Sequence, residues 1–179
     1  MNPKDILVVG DSWTCVVAGP GDPWPVVLGI PEENRQGIAG STASEWASDG
    51  DGRLTRAVNT PASVVIVSLI GNDMRHAMED GVITPEEDRD ALVDYSYVLG
   101  ALRSKAIIAL GYANPFPDDI TMSAHIEALN MRVAWALGGH GILADLREVL
   151  RADCFDGYDI HPNALGHQRI ADGLKLVLL

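Results

Sequence analysis

Apolar runs of strand length alternate with stretches of helical periodicity along this chain, and the alternation limits the folds open to it. Val, Ile, Leu and Ala dominate four such runs, at 6–9, 64–69, 106–110 and 141–144. Continuous apolar runs are typical of strands buried on both faces, as in a parallel sheet covered by helices. A weaker fifth strand is predicted near residues 37–39.

Helical patterns, with apolar residues at i, i+3 or i+4, lie between and after these runs. They cover residues 44–58, 85–104, 122–137 and 162–178. Thr84, Pro85 and Glu87 form a capping-box pattern at the start of the second helix. Together the patterns predict an α/β fold, a single-domain three-layer α/β/α sandwich over residues 1–179 with a mostly parallel sheet of about five strands.

Charge and hydropathy exclude two classes of protein. The 179 residues include 13 Lys and Arg against 25 Asp and Glu, a net charge of −12, which disfavours nucleic-acid binding. The longest apolar run, near residues 64–70, is far shorter than the roughly 20 residues of a membrane span. The first residues lead directly into a strand and leave no room for a signal peptide, so a cytoplasmic protein is expected.

Polar clusters follow the predicted strands. Residues 10–13 (Gly-Asp-Ser-Trp), 37–42 and 71–73 (Gly-Asn-Asp) come at strand ends, and residues 156–163 precede the last helix. In open α/β sheets, ligands bind at the carboxyl ends of the strands. The sequence therefore predicts a functional site at that edge of the sheet, built from these four clusters.

The order of these clusters resembles the SGNH, or GDSL, hydrolase family, whose four blocks carry a Ser, a Gly, an Asn and a His in this order. The matches are Gly-Asp-Ser at 10–12, Gly40, Gly-Asn-Asp at 71–73, and His161 followed by Pro-Asn. The resemblance extends from about residue 6 to about residue 172. One block alone is weak evidence, whereas four in order are specific.

The resemblance implies the family's flavodoxin-like fold and a serine esterase that uses neither a metal nor an organic cofactor. It makes Ser12 the nucleophile, His161 the general base, and Ser12, Gly40 and Asn72 the donors of an oxyanion hole. These residue types suit the chemistry, because a serine hydroxyl attacks an acyl carbon only when an imidazole accepts its proton. The resulting oxyanion needs donors that are already in place.

The acid that should orient His161 departs from the family pattern. The family usually has an aspartate three residues before the histidine, and that position is Tyr158 in this chain. Asp159 stands two residues before His161 and Asp156 five before it. We favour Asp159 as the third member of the triad; Asp156, or a Ser12–His161 dyad, are the alternatives.

Other interpretations of these residues are weaker. An α/β-hydrolase needs G-x-S-x-G, which Ser12 lacks. Asp11 and Asp73 are interpreted as turn and helix-cap residues. A zinc site formed by Asp159, His161 and His167 has no further ligand motif to support it. Unpaired thiols are expected at the two cysteines, which lack C-x-x-C spacing, with one disulfide as the alternative; they are Cys15 and Cys154.

The substrate is predicted to be a small-molecule or glycan ester of a short acid, acetate first. No long apolar insertion separates the blocks to build an acyl groove, so a shallow pocket is expected. Trp13 and Tyr158 stand next to the proposed nucleophile and base, where aromatic rings can line an acyl or sugar pocket. The alternatives are a lysophospholipase or thioesterase of the same family, and a noncatalytic binding or structural module on the same fold.

Overall fold

The computed structural model describes residues 1–77, 84–116, 118–157 and 159–179. Its strands are β1 (Ile6–Gly10), β2 (Arg35–Gly37), β3 (Val64–Ser68), β4 (Ala106–Leu110) and β5 (Gly141–Ala144). Its α-helices are α1 (Trp24–Val27), α2 (Ala43–Ser48), α3 (Arg53–Asn59), α4 (Gly71–Ala77), α5 (Pro85–Leu102), α6 (Ile120–Leu137) and α7 (Ala164–Val177).

The strands form one parallel sheet of five in the order β2-β1-β3-β4-β5, which confirms the predicted fold class. β1 and β3 are buried along their whole length, as their continuous apolar runs predict. In their register Gly10 is paired with Ser68, so the two strands end level with each other. The residues that follow these strands are therefore neighbours.

The helices cover both faces of this sheet. On one side α1 packs against α7, while α2, α3, α4 and α6 all contact α5. Right-handed crossovers place α1 on one face and the helices from α2 to α6 on the other, because the chain moves from β1 to β2 in one direction and from β2 through β3 and β4 to β5 in the other. α7 follows the last strand and shares the face of α1 through their contact. Each layer contains one fully buried tryptophan, Trp24 in α1 and Trp46 in α2.

Helix bounds differ from the predictions, most clearly within residues 44–58. The pattern at 44–58 is two helices, since Asp49 (φ 51°) and Gly52 (φ 72°) adopt left-handed conformations between α2 and α3. Asp49 then accepts a hydrogen bond from the Leu54 amide and so caps the second helix. α6 begins at Ile120 instead of residue 122, with Asp119 as its N-cap. α5 ends at Leu102 instead of residue 104, and α7 covers Ala164–Val177 instead of residues 162–178. The capping box of Thr84 and Glu87 is present as predicted.

The order in which the chain adds strands reverses its direction at β1, which creates a crevice between the carboxyl ends of β1 and β3, the place where such sheets bind ligands.

Cys15 and Cys154 are both free thiols, so the disulfide alternative is wrong. Among the described helices, none has the length and hydropathy that a bilayer span requires.

Candidate active site

Ser12 lies at the carboxyl end of β1, in a 3-10 turn over Ser12–Thr14, and is 8% exposed. Asp11 caps this turn by accepting a hydrogen bond from the Trp13 amide at 3.0 Å, which confirms its structural role. Thr14 packs closely on Gly10: a Cβ added to Gly10 would lie 2.4 Å from the Thr14 methyl group. Glycine before the Asp-Ser pair therefore lets the turn fold back onto the strand.

Asn72 lies in the first turn of α4 and reaches the loop that contains Gly40. Its Nδ2 donates to the Ser41 carbonyl at 3.0 Å, and Gly40 is a turn glycine with φ 78°. The neighbouring Asp73 accepts hydrogen bonds from the amides of Ala43 (2.8 Å) and Ser44 (3.2 Å). Asp73 is thus a helix cap, but for α2 rather than for its own helix.

His161 and Asp159 are in direct contact. Asp159 Oδ1 lies 2.6 Å from His161 Nδ1 and also accepts a hydrogen bond from the His161 backbone amide at 2.9 Å. These contacts lower the pKa of the Asp159 carboxyl, the backbone amide having the largest effect. Asp156 instead accepts a hydrogen bond from Asn163 Nδ2 at 2.8 Å. Tyr158 lies outside the described residues.

The loop of His161 is held against the segment that follows Ser12. The Ala18 amide donates to the Pro162 carbonyl at 3.0 Å. Buried His167 adds two contacts, since its Nδ1 accepts from the Trp24 amide (3.2 Å) and its Nε2 lies 2.8 Å from the Val16 carbonyl. Because hydrogen bonds engage both of its ring nitrogens, His167 is a structural residue and the zinc interpretation loses its third ligand.

One cavity of about 430 Å³ connects these regions. Ser12 and Asn72 are on its wall, and so is Ile160, the residue before His161. Gly40 and His161 are not on the wall itself; Gly40 precedes Ser41, whose carbonyl binds Asn72. The structure thus places residues of three sequence clusters on the cavity wall, and the Asn72–Ser41 hydrogen bond joins the fourth cluster to that wall.

Apolar side chains form most of this cavity. Met122, Ile126 and Leu129 present one stripe of α6, and Met74 faces them from α4. This volume is larger than the shallow pocket predicted from the sequence, because helix faces build the cavity rather than an insertion between the blocks. Trp13 also lines the cavity, but it is only 6% exposed and packs edge-on against Tyr112 at 5.0 Å.

Tyr112, which the sequence analysis overlooked, lies two residues beyond β4 and joins two parts of the site. Its hydroxyl donates to Asp11 Oδ2 at 2.8 Å and accepts a hydrogen bond from the Gly71 amide at 3.3 Å. Burial raises the pKa of Asp11 to about 6, although hydrogen bonds from Tyr112 and Trp13 oppose the rise. The rule that ligand sites lie at strand ends, applied to β4, could have found Tyr112.

Comparison with known proteins identifies the family of this chain and solved structures that share its fold. The model of the GDSL-like Lipase/Acylhydrolase family matches residues 8–169. No similar sequence is found among curated proteins.

Among solved structures, the lipase Lip_vut3 from a goat rumen metagenome is 18% identical with a TM-score of 0.74, over 96% of this chain and 95% of that one. Axe2, an acetylxylan esterase from Geobacillus stearothermophilus, is 16% identical with a TM-score of 0.70, over 94% and 91%. A family 3 carbohydrate esterase from Clostridium thermocellum is 16% identical with a TM-score of 0.65, over 96% and 92%. At these identities the similarity shows a shared fold.

Proposed function

The chain belongs to the GDSL-like lipase/acylhydrolase family, which makes it a carboxylic ester hydrolase, and from that premise we propose that it acts through an acyl-enzyme on Ser12. The observation that carries the proposal is the His161–Asp159 pair, with its 2.6 Å contact, on a loop held next to the cavity that Ser12 lines. Ser12 is the nucleophile and His161 the general base.

The proposed reaction begins when Ser12 Oγ attacks the acyl carbon and its proton passes to Nε2 of His161. A hydrogen bond from Nδ1 to Asp159 selects the tautomer whose Nε2 can accept that proton, and the carboxylate stabilises the imidazolium that forms. His161 then protonates the leaving alcohol. Water, deprotonated by the same imidazole, hydrolyses the acyl-enzyme and releases the acid.

The oxyanion of each tetrahedral intermediate is proposed to bind three donors. Asn72 Nδ2 has two hydrogens, and the Ser41 carbonyl takes one of them, leaving the other for the oxyanion. The backbone amides of Ser12 and Gly40 are the other donors. Open space around Gly40, where an added Cβ would meet nothing within 4 Å, leaves room for substrate.

The proposed substrate is an ester of a short acid, acetate first, carried on a carbohydrate. Support comes from solved structures of similar fold, which include an acetylxylan esterase and a family 3 carbohydrate esterase.

An ester with a longer acyl chain is the second candidate, and the cavity favours it. About 430 Å³ lined by Met122, Ile126 and Leu129 can hold several methylene groups, each of which gains roughly 0.8 kcal/mol on burial. The similarity to a lipase structure agrees with this candidate.

The two candidates are separated by the kcat/KM values of aryl acetate, butyrate and octanoate, measured with Ser12→Ala as the blank. An acetyl esterase gives its largest value with acetate, whereas values that rise with chain length indicate the second candidate. Ile126→Trp fills the cavity and lowers only the octanoate rate if the chain enters there. Met131→Trp, on the exposed side of α6, is the matched control.

A fluorophosphonate label tests the proposed mechanism without a substrate. Modification of Ser12 in the folded protein supports the acyl-enzyme. A folded chain that takes no label and hydrolyses none of these esters, or acetylated xylan, would instead be a noncatalytic module on this fold.

A further inference from the structure

Tyr112 connects the residues before Ser12 with the residues before Asn72. It is 3% exposed, and its hydroxyl lies 2.8 Å from Asp11 Oδ2, 3.1 Å from the Leu69 carbonyl and 3.3 Å from the Gly71 amide. Its ring also packs on Gly71, where an added Cβ would lie 2.9 Å from two ring carbons. A single side chain therefore contacts the ends of both β1 and β3.

We propose that Asp11 and Tyr112 are a positioning pair that fixes Ser12 relative to Asn72, and that the pair does so fully only while the Asp11 carboxyl is ionised. This inference rests on the proposed function, since Ser12 and Asn72 are there the nucleophile and an oxyanion donor. Neither member of the pair touches the substrate's reacting atoms in the proposed reaction.

The direction of each hydrogen bond explains the requirement for charge. A phenol has one hydrogen, and an anionic oxygen at 2.8 Å attracts it more strongly than a neutral carbonyl at 3.1 Å. The hydroxyl oxygen can then accept from Gly71, while the other carboxylate oxygen accepts from the Trp13 amide. Protonation of Asp11 turns one acceptor into a donor and weakens this chain of bonds.

The groups around Asp11 keep its carboxyl close to the point of protonation. The Ser68 hydroxyl lies 3.5 Å away on β3, and Asp73 on α4 raises the pKa of Asp11 by repulsion. Burial and, to a smaller extent, the Asp11 charge raise the pKa of Tyr95 on α5 and of Cys15 after the Ser12 turn. Burial and, less strongly, the repulsion from Asp73 disfavour the anion, whereas the hydrogen bonds from Tyr112, Trp13 and Ser68 favour it, so the hydrogen bond from Tyr112 matters to the charged state.

Tyr112→Phe tests the proposal, because it keeps the ring on Gly71 and removes only the hydroxyl. Loss of a hydrogen bond to a charged group should lower kcat for an aryl ester roughly 10- to 100-fold, with KM changed less than about twofold. Since that hydrogen bond lowers the pKa of Asp11, the acidic limb of the pH profile should move to higher pH.

Tyr95→Phe is the matched control. Tyr95 is another fully buried tyrosine near Asp11, but its hydroxyl makes no hydrogen bond within the described residues. Its removal should leave kcat, KM and the acidic limb unchanged. A Tyr112→Phe enzyme with the wild-type kcat and the wild-type pH profile would overturn the proposal.

Carboxyl and side-chain amide NMR keeps this inference separable from the proposed function. In the wild type, the Asn72 amide resonance should follow the titration of Asp11, and Tyr112→Phe should raise the Asp11 midpoint and abolish the coupling. If the wild type hydrolyses no ester but the coupling is present, the proposed function fails and the positioning pair stands. If esters are hydrolysed and the coupling is absent, the pair is wrong.

Discussion

The two halves of the candidate site are built differently. The Ser12 half is buried, with Ser12 8% and Asn72 7% exposed, and hydrogen bonds connect it across the ends of β1, β3 and β4. The His161 half lies in a surface loop, where the side chains of His161 and Asp159 are 23% and 42% exposed. Their 2.6 Å contact is local, between residues two positions apart.

This contrast shows which parts of the site depend on the sheet. Donors for an oxyanion must be fixed before reaction, so they benefit from a buried framework. A general base needs one partner to orient its ring, and a loop can supply that partner from more than one position. A surface loop is thus compatible with the proposed role of Asp159, which stands two residues before His161 instead of the family's three.

The largest expected effects come from removing the proposed nucleophile of one half or the proposed base of the other. Ser12→Ala and His161→Ala should each reduce kcat for an aryl acetate by about 10⁴-fold or more, because the two residues act as one unit. Circular dichroism melts should show that both variants stay folded. Wild-type rates in either variant would contradict the assignment of that residue.

Asp159→Asn should have the next largest effect and tests the surface half alone. Loss of the carboxylate should lower kcat/KM by about 10²-fold, less than for a buried triad aspartate, since solvent partly screens this pair. Asp156→Asn is the control and should stay within about threefold of wild type, because Asp156 contacts Asn163 instead. Equal, near-wild-type rates in both variants would indicate a dyad.

Asp11→Asn tests the buried half through stability. Burial raises the pKa of Asp11 from 3.8 to about 6, so the folded state binds this proton more tightly than the unfolded state does. Ionisation of Asp11 therefore destabilises the wild type as the pH rises from about 4 to about 6, by up to roughly 3 kcal/mol.

The variant lacks this titration. Urea denaturation at pH 4.5 and pH 7.5 should show that the free energy of unfolding of Asp11→Asn rises relative to that of the wild type as the pH rises. Its turnover of an aryl ester should be lower than that of the wild type. The same difference at both pH values would mean that Asp11 titrates normally in the fold.

The smallest expected effect concerns the two buried tyrosines. Tyr95→Phe removes a buried hydroxyl that has no partner in the described structure and should stabilise the protein by about 1 kcal/mol. Tyr112→Phe removes a bonded hydroxyl and should destabilise it by a similar amount. Paired thermal melts measure the difference, and a loss of stability in Tyr95→Phe would show that its hydroxyl has a partner in solution.

The elements that form through local sequence patterns were predicted correctly. The buried runs of β1 and β3 and the cap at Thr84 are correct in the structure, and the strand-end rule places Ser12 and Asn72 beside one cavity. Asp49 was missed because a helical pattern continues through a turn that only its left-handed backbone reveals.

Features that join residues far apart in the sequence were not predicted, because local patterns do not show them. The contact of Tyr112 with Asp11 joins residues that follow different strands, β4 and β1. The strand-end rule points to Tyr112, but no local pattern identifies its partner. The cavity wall likewise combines one face of α6 with Met74 of α4, so its volume depends on how two helices are placed.

The level ends of β1 and β3 have a consequence for the order of folding. Ile6 pairs with Val64, so Ser12 and Asn72 meet only after a long loop has closed, a step that slows parallel sheets. The loop of His161 lies still later in the chain, where Asn163 pairs with Ala18 just before the C-terminal helix. During synthesis, therefore, the chain can assemble its proposed nucleophile and oxyanion donors before its base arrives, and we expect a nascent chain to remain unreactive until its last helix has docked.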